Sequence, residues 1–172
     1  MNTLVLLRHG KSGYPPDVDD HDRPLDARGE REAPVAGRLL ARSDALRVDN
    51  REDNPEQPSA RVDLVLVSTA HRAQQTWAMV APELPDTGKV ETLEALYLAS
   101  AADLLNLLHE VPDSPRRVLV VGHNDGLEEL ASSLSNTDVR LKTSTFAVLT
   151  SRRPWHQWSE GTASLVEVVV AR

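Results

Sequence analysis

Three short aliphatic runs, each ending abruptly in polar residues, constrain the fold of this chain more than any other feature. The runs cover residues 4–7, 62–67 and 118–121. Continuous aliphatic runs of this length are typical of parallel strands that are buried on both faces. The segments between them have helical spacing. The order of elements therefore predicts an α/β fold with three αβα layers, in which helices cover both faces of a mostly parallel central sheet.

The remaining elements follow from local signals. Pro34 predicts that the first helix begins near it, because proline is tolerated in the first turn of a helix, and Ser100 is the predicted N-cap of the third. A short strand is expected at residues 90–93, and two β-rich stretches at the end of the chain should complete one edge of the sheet. The predicted helices cover residues 29–42, 72–80, 101–109 and 126–134, and the two final strands residues 145–149 and 165–170.

Length and composition favour one domain over residues 1–172. With 40% hydrophobic residues, a chain of 172 residues can bury a core without disulfides or metal. Residues 43–60 are rich in Asp, Asn, Glu and Pro and offer little to bury. We expect an exposed loop there, which is long for a compact domain and is a candidate lid or disordered insert.

Charge and residue types exclude several classes of function. The formal net charge of -7 argues against a general nucleic-acid binder, whose affinity would come from neutralising phosphates. The chain has no cysteine, which excludes thiol nucleophiles and Cys-ligated zinc. His21, His71, His109 and His156 show no i, i+4 pairing with one another, so their spacing does not indicate a metal site. The first apolar run is too short for a signal peptide or a membrane span. We therefore expect a cytoplasmic protein with no membrane partner.

Polar clusters follow all three aliphatic runs, where a parallel sheet binds its ligands. Arg8, His9 and Gly10 follow the first run, residues 68–72 (STAHR) the second, and residues 122–124 (GHN) the third. Taken singly, a histidine after a strand or an arginine on a helix is more often structural. Their joint occurrence at three strand ends predicts a shared site.

Two arginines and two histidines suit phosphoryl transfer. The reaction spreads charge over three oxygens, so catalysis depends on positioning and electrostatic stabilisation. The planar fork of arginine binds phosphate oxygens in pairs, and a neutral imidazole can attack phosphorus to form a phospho-imidazole that water hydrolyses. The residues predict His9 as the nucleophile, with Arg8, Arg72 and His123 completing a phosphate pocket that needs no metal or cofactor.

These motifs also carry a family resemblance over most of the chain. The segments LVLLRHGKS, DRPLDARG, VLVSTAHRAQQTW and VVGHN resemble the SixA-like branch of the histidine phosphatase superfamily, which has a phosphoglycerate mutase-like fold. The resemblance implies that His9 is the phosphorylated histidine, Arg8 and Arg72 the phosphate-binding arginines, and His123 the second histidine. It also implies hydrolysis of phosphohistidine on a partner protein through a covalent phosphoenzyme.

Four further residues are candidates for substrate binding. The first loop and the DRPL segment resemble family positions that flank the pocket, which points to Lys11, Ser12 and Arg23. Surface charge and turn chemistry explain them equally well. Gly10 is expected to let the backbone approach the phosphate, because it lacks a Cβ.

A general acid is harder to assign. Glu94 lies in the right part of the chain, although a solvated loop glutamate is the alternative, and Asp125 better suits capping the following helix. A phosphohistidine leaves as an imidazole, so a site without a strong acid can still cleave N–P bonds. The favoured substrate is a phosphorylated protein of a phosphorelay or phosphocarrier system. A small phosphate ester, or phosphate binding without turnover, are the alternatives.

Overall fold

The computed structural model describes residues 1–48 and 59–172. Its central sheet has the strand order β2-β3-β5-β1-β6-β7. Strand β4 also pairs with β3, on the side opposite β5. Over the described residues, the strands are β1 (Asn2–Arg8), β2 (Arg47–Val48), β3 (Ser59–Ser68), β4 (Asp86–Leu93), β5 (Arg117–Gly122), β6 (Thr145–Ser151) and β7 (Ser164–Val170).

The parallel part of the sheet lies at its centre. Strand β5 is parallel to both β1 and β3, and β4 is parallel to β3. Strands β6 and β7 add an antiparallel edge beside β1, as the sequence predicted. The long helices are α1 (Ala27–Ala41), α2 (His71–Val80), α3 (Ala101–His109) and α4 (Gly126–Ser135). None of the helices within residues 1–48 and 59–172 is long and apolar enough to cross a membrane.

Alternate residues of the central strands enter two separate cores. In β1, Leu4 and Leu6 pack on the side of α3 and α4, whereas Val5 and Leu7 pack on the side of α1 and α2. All four side chains are fully buried. This period of two places each residue of the run 4–7 in one core or the other, which explains why the run is aliphatic throughout. The predicted three-layer αβα architecture is confirmed.

Helix α1 begins earlier than predicted. Its N-cap is Asp26, whose carboxylate accepts a hydrogen bond of 2.9 Å from the amide of Gly29, and Pro34 lies inside the helix. The side chain of Ala33, one residue before the proline, is fully buried. The cap and the packing of this face therefore outweigh the local signal of the proline.

The other predicted helix starts differ in outcome. Ser100 caps α3 as predicted, because its hydroxyl accepts a hydrogen bond from the amide of Asp103, whose carboxylate bonds back to the amide of Ser100. Asp125 stands at the N-cap position of α4 but has helical backbone angles and makes no capping hydrogen bond with its side chain. Its predicted role as a side-chain cap is wrong.

The exposed loop predicted at residues 43–60 differs at both ends. Leu46 lies in a 3-10 turn and is fully buried in the core beside α1, and the short strand β2 pairs with Ser59 and Ala60. Burial of Leu46 and the pairing of β2 hold both ends of this segment against the sheet. Residues 49–58 lie outside the described residues, so the predicted lid there stays a prediction.

Candidate active site

The carboxyl ends of β1, β3 and β5 bring the predicted polar clusters together. Arg8 stands opposite Gly122 in the parallel pairing of β1 and β5, so the two following residues meet, and the ring centroids of His9 and His123 are 5.1 Å apart. Arg72 lies in the first turn of α2, directly after β3. All four side chains line one cavity of about 250 Å³, which we call the His9 pocket.

His9 is held as a neutral imidazole with one nitrogen free to react. Its Nδ1 lies 2.7 Å from the carbonyl oxygen of Gly10, and because a carbonyl only accepts, Nδ1 carries the proton. Nε2 therefore has the lone pair, and it accepts a hydrogen bond of 3.3 Å from Nε of Arg72. Burial lowers the pKa of His9 to about 3, and the nearby His123, Arg72 and Arg8 act in the same direction. The imidazole is unprotonated at neutral pH, as a nucleophile requires.

His123 is also buried and neutral. Burial, with a further contribution from Arg72, lowers its pKa to about 4. Its Nε2 lies 2.8 Å from the hydroxyl of Ser68, and its Nδ1 lies 3.4 Å from Nη2 of Arg72. The Ser68 hydroxyl thus fixes the orientation of the second histidine.

Both arginines line the His9 pocket. Arg72 is only 2% exposed, and its fork reaches both histidines and the backbone oxygen of Asp20, 2.6 Å from Nη1. Arg8 donates from Nη1 to the carbonyl of Leu141 at 3.0 Å. Its buried Nε has no hydrogen-bond partner among the described residues. The Arg8 side chain lines the pocket, so its guanidinium adds positive charge to a site for a phosphate.

Three of the four further candidates for substrate binding line the His9 pocket: Lys11, Ser12 and Arg23. Arg23 donates from Nη1 to the hydroxyl of Ser12 at 2.7 Å, and its guanidinium lies 4.1 Å from the ring centroid of Tyr14. Ser12 is buried, whereas Lys11 is exposed at the rim. The structure therefore groups these residues with the main site.

Gly10 does not line the His9 pocket. Its amide donates to the hydroxyl of Thr76 at 2.9 Å, and a Cβ at this position would lie 3.1 Å from Cδ2 of Leu25 and 3.3 Å from the backbone of Gly29. The glycine allows the first loop to pack closely against the start of α1. This differs from its predicted role of admitting the phosphate to the backbone, which the direction of the missing Cβ does not support.

Glu94 also lies outside the lining of the His9 pocket. Its side chain is 73% exposed, and its carboxylate accepts a hydrogen bond from the hydroxyl of Thr69. His21 completes this group, with Nε2 2.9 Å from the Thr69 oxygen and 3.5 Å from the carboxylate. The acid role of Glu94 stays a prediction.

The sequence analysis missed Asp20, which lines the His9 pocket. Its carboxylate accepts hydrogen bonds from Nη2 of Arg72 at 3.2 Å, from Nε of Arg23 at 3.0 Å, and from the hydroxyl of Tyr97. The bond from Tyr97, together with the two arginines, lowers the pKa of Asp20 to about 2. In the sequence, Asp20 lies in an acidic run that is typical of a solvated loop, and this run does not indicate a place in the site.

No metal cluster is evident in the part of the chain that the structure describes. Within residues 1–48 and 59–172, no three His, Cys, Asp or Glu side chains are grouped to hold an ion. The donors of the His9 pocket are mainly cationic or neutral nitrogens, which suit a phosphate rather than a metal ion.

The two buried histidines predict a pH-dependent stability. Both have a pKa below the ordinary 6.5, so the unfolded chain binds more protons than the folded chain as pH falls through 6.5. From pH 8 to pH 5, each should lower the free energy of unfolding by about 2 kcal/mol, or about 4 kcal/mol together. Urea unfolding of wild type and of His9→Ala checks this. The variant should lose about 2 kcal/mol less than wild type, and equal losses would contradict the neutral His9.

Comparisons with known proteins agree with this site. No protein-family model matches the chain. It is 36% identical to an uncharacterised protein of Mycobacterium tuberculosis, over 96% of this chain and 100% of that protein. A structure assigned as the phosphohistidine phosphatase SixA from Nakamurella multipartitia is 30% identical, with a TM-score of 0.77 over 99% of this chain and 96% of that one.

A more distant structure shares the fold. The protein histidine phosphatase SixA complexed with tungstate is 22% identical, with a TM-score of 0.69 over 98% of this chain and 96% of that one. The shared fold and the 30% sequence identity to the SixA structure from Nakamurella multipartitia confirm the resemblance carried by the sequence motifs. This chain belongs to the SixA-like branch of the histidine phosphatase superfamily and is a hydrolase that acts on phosphate.

Proposed function

We propose that this protein removes the phosphoryl group from a phosphohistidine on a partner protein, through a covalent intermediate on His9 and without a metal or cofactor. The observation that carries the proposal is the neutral imidazole of His9, whose unprotonated Nε2 faces Arg72 inside a cationic pocket. The similarity to SixA phosphatases supports the choice of substrate class.

The first chemical step transfers the phosphoryl group to His9. The lone pair of Nε2 attacks phosphorus, the P–N bond of the substrate breaks, and its electron pair stays on the leaving ring. The attacking ring of His9 becomes positively charged, and its Nδ1–H keeps the hydrogen bond to the Gly10 carbonyl, which stabilises that charge. Water then attacks phosphorus, and His9 is released as the same neutral tautomer.

The arginines stabilise the charge on the three phosphoryl oxygens in both steps. Arg72 is rigidly held by its burial and can bond to two oxygens with its fork, while Arg8 adds a second guanidinium to the pocket lining. His123, oriented by Ser68, lies next to the attacking ring. These groups hold the transferred phosphoryl group in line with Nε2.

A small phosphate ester is the second candidate substrate. It is favoured by the carboxyl group of Glu94 near the site, which in its protonated form could donate a proton to an ester oxygen if the group of His21, Thr69 and Glu94 moved toward the pocket. The position of Glu94 outside the pocket lining favours phosphohistidine instead, because the imidazole leaving group needs less assistance from an acid.

A cytoplasmic location stays a prediction from the sequence.

The substitution Glu94→Gln tests whether Glu94 acts as a general acid on a phosphohistidine substrate. We expect hydrolysis of a phosphohistidine carrier to stay within about threefold of wild type, because the carboxylate does not reach the pocket. Initial rates of phosphate release check this, with Glu91→Gln on β4 as a matched control away from the pocket. A loss of about 100-fold or more would show that Glu94 is the general acid.

The proposed function is tested by phosphate release in the presence of a metal chelator. The substrates are a phosphohistidine-bearing carrier protein and a generic aryl phosphate. We expect rapid release from the carrier and slow release from the aryl phosphate. Activity on the aryl phosphate alone would assign the site to small esters, and loss of activity on adding the chelator would overturn the metal-free mechanism.

A further inference from the structure

We propose that the carboxylate of Asp20 makes the His9 pocket selective for a phosphorylated imidazole over a phosphate ester, by accepting a hydrogen bond from the distal N–H of the leaving ring. The inference rests on the proposed function, because it concerns how that site distinguishes its substrates. Asp20 is a specificity-determining residue in this account.

A carboxylate is an unfavourable group in the lining of a phosphate pocket. Among the described residues, Asp20 is the only acidic side chain that lines the His9 pocket, beside four cationic ones, Arg8, Lys11, Arg23 and Arg72. A negative charge next to a phosphate site weakens the binding of every phosphate. Its side chain is 49% exposed, so the core does not require it. A group that lowers general affinity can still raise selectivity.

The carboxylate is fixed in place by three separate segments of the chain. Arg72 on α2 and Tyr97 after β4 donate to Oδ2, and Arg23 in the first loop donates to Oδ1. An ionised carboxylate has about four acceptor positions and no donor. Three are used here, which leaves one acceptor position on a carboxylate that lines the His9 pocket beside four cationic side chains.

A phosphorylated imidazole can use that remaining position. One ring nitrogen carries phosphorus, and the other, when protonated, carries an N–H. A hydrogen bond to Asp20 favours this cationic form, in the way that a carboxylate orients and stabilises an imidazolium in other hydrolases. When His9 attacks, the P–N bond breaks, the electron pair stays on the ring, and the ring leaves as neutral imidazole with its N–H intact. No proton transfer is needed.

A phosphate ester gains nothing from the same group. Its leaving oxygen offers lone pairs and no donor, so it cannot bond to an ionised carboxylate, and Asp20 has no proton to give it. The pocket therefore favours the substrate whose leaving group carries an N–H.

The test is the ratio of kcat/KM on a phosphohistidine carrier to kcat/KM on an aryl phosphate. In Asp20→Asn, the ratio should fall by about 10- to 100-fold, the effect of one hydrogen bond to a charged group, through loss of activity on the carrier. If Asp20 only orients Arg72 and Arg23, both activities fall together and the ratio is unchanged, which overturns the inference. Asp22→Asn is the matched control, because its side chain is 72% exposed in the same turn and does not line the pocket.

A second measurement needs no variant. Wild type is compared on phosphoimidazole and on its analogue methylated at the distal nitrogen, each rate divided by that of spontaneous hydrolysis. The inference predicts at least about a tenfold preference for the N–H compound. Equal normalised rates would overturn it. If wild type fails on the phosphohistidine carrier, the proposed function is wrong, whereas activity with an unchanged ratio in Asp20→Asn refutes this inference alone.

Discussion

Replacing His9 by alanine should lower kcat for phosphate release from a phosphohistidine carrier by at least about 10⁴-fold, the order expected when a covalent nucleophile is removed. The buried Nε2 of His9 is unprotonated and accepts a hydrogen bond from Nε of Arg72, and no neighbouring side chain occupies the same position. His123 is turned toward Ser68 and cannot substitute without a rearrangement of its ring. Stopped-flow or steady-state phosphate release measures the effect.

The control for this variant is His71→Ala. His71 is exposed on the same helix as Arg72 and does not line the His9 pocket, so its removal should leave the rate within about twofold of wild type. The His9→Ala variant should still bind inorganic phosphate, because Arg8 and Arg72 remain. Retention of full hydrolysis by His9→Ala would rule out the nucleophile.

The conservative substitution Arg72→Lys should reduce kcat/KM by about 10³-fold. Lysine keeps the charge but has one donor atom in place of a planar fork, so it cannot contact His9, His123 and Asp20 at once. The loss should appear mainly in kcat, because the fork contributes most when charge spreads over the phosphoryl oxygens in the transition state. Full kinetic curves on the phosphohistidine carrier separate kcat from KM.

Because Arg72 is buried, its variant needs a test of folding. The circular dichroism spectrum and the urea midpoint of Arg72→Lys should show a folded protein. Arg61→Lys, whose exposed side chain lies near the start of β3, should keep wild-type kinetics. A folded Arg72→Lys protein with kcat/KM within tenfold of wild type would mean that charge alone is sufficient and that the fork has no special role.

The main site could be predicted because it depends on two rules that act locally. Strands buried on both faces appear as aliphatic runs, and the residues after parallel strands meet at one edge of the sheet. These rules place His9 and His123 together, and the register of β1 and β5 agrees with them. Arg72 follows because α2 begins directly after β3.

The rest of the site depends on contacts between segments distant in sequence. Asp20 and Arg72 are separated by 52 positions, and Asp20 and Tyr97 by 77, so nothing in the acidic loop itself indicates that its carboxylate enters the pocket. The direction of the missing Cβ of Gly10 likewise depends on where α1 packs. Pro34 misled the prediction of the helix start because a local signal was weaker than the Asp26 cap and the buried face around Ala33.

The central claim is that the phosphoryl group passes through His9, and identification of the phosphorylated residue tests it most directly. The enzyme is mixed with a phosphohistidine carrier, quenched at alkaline pH within one turnover, digested, and analysed by mass spectrometry. We expect phosphate on His9 in wild type, formed and lost fast enough to be an intermediate. Phosphate on His123 or another residue, or rapid turnover with no modified peptide, would contradict it.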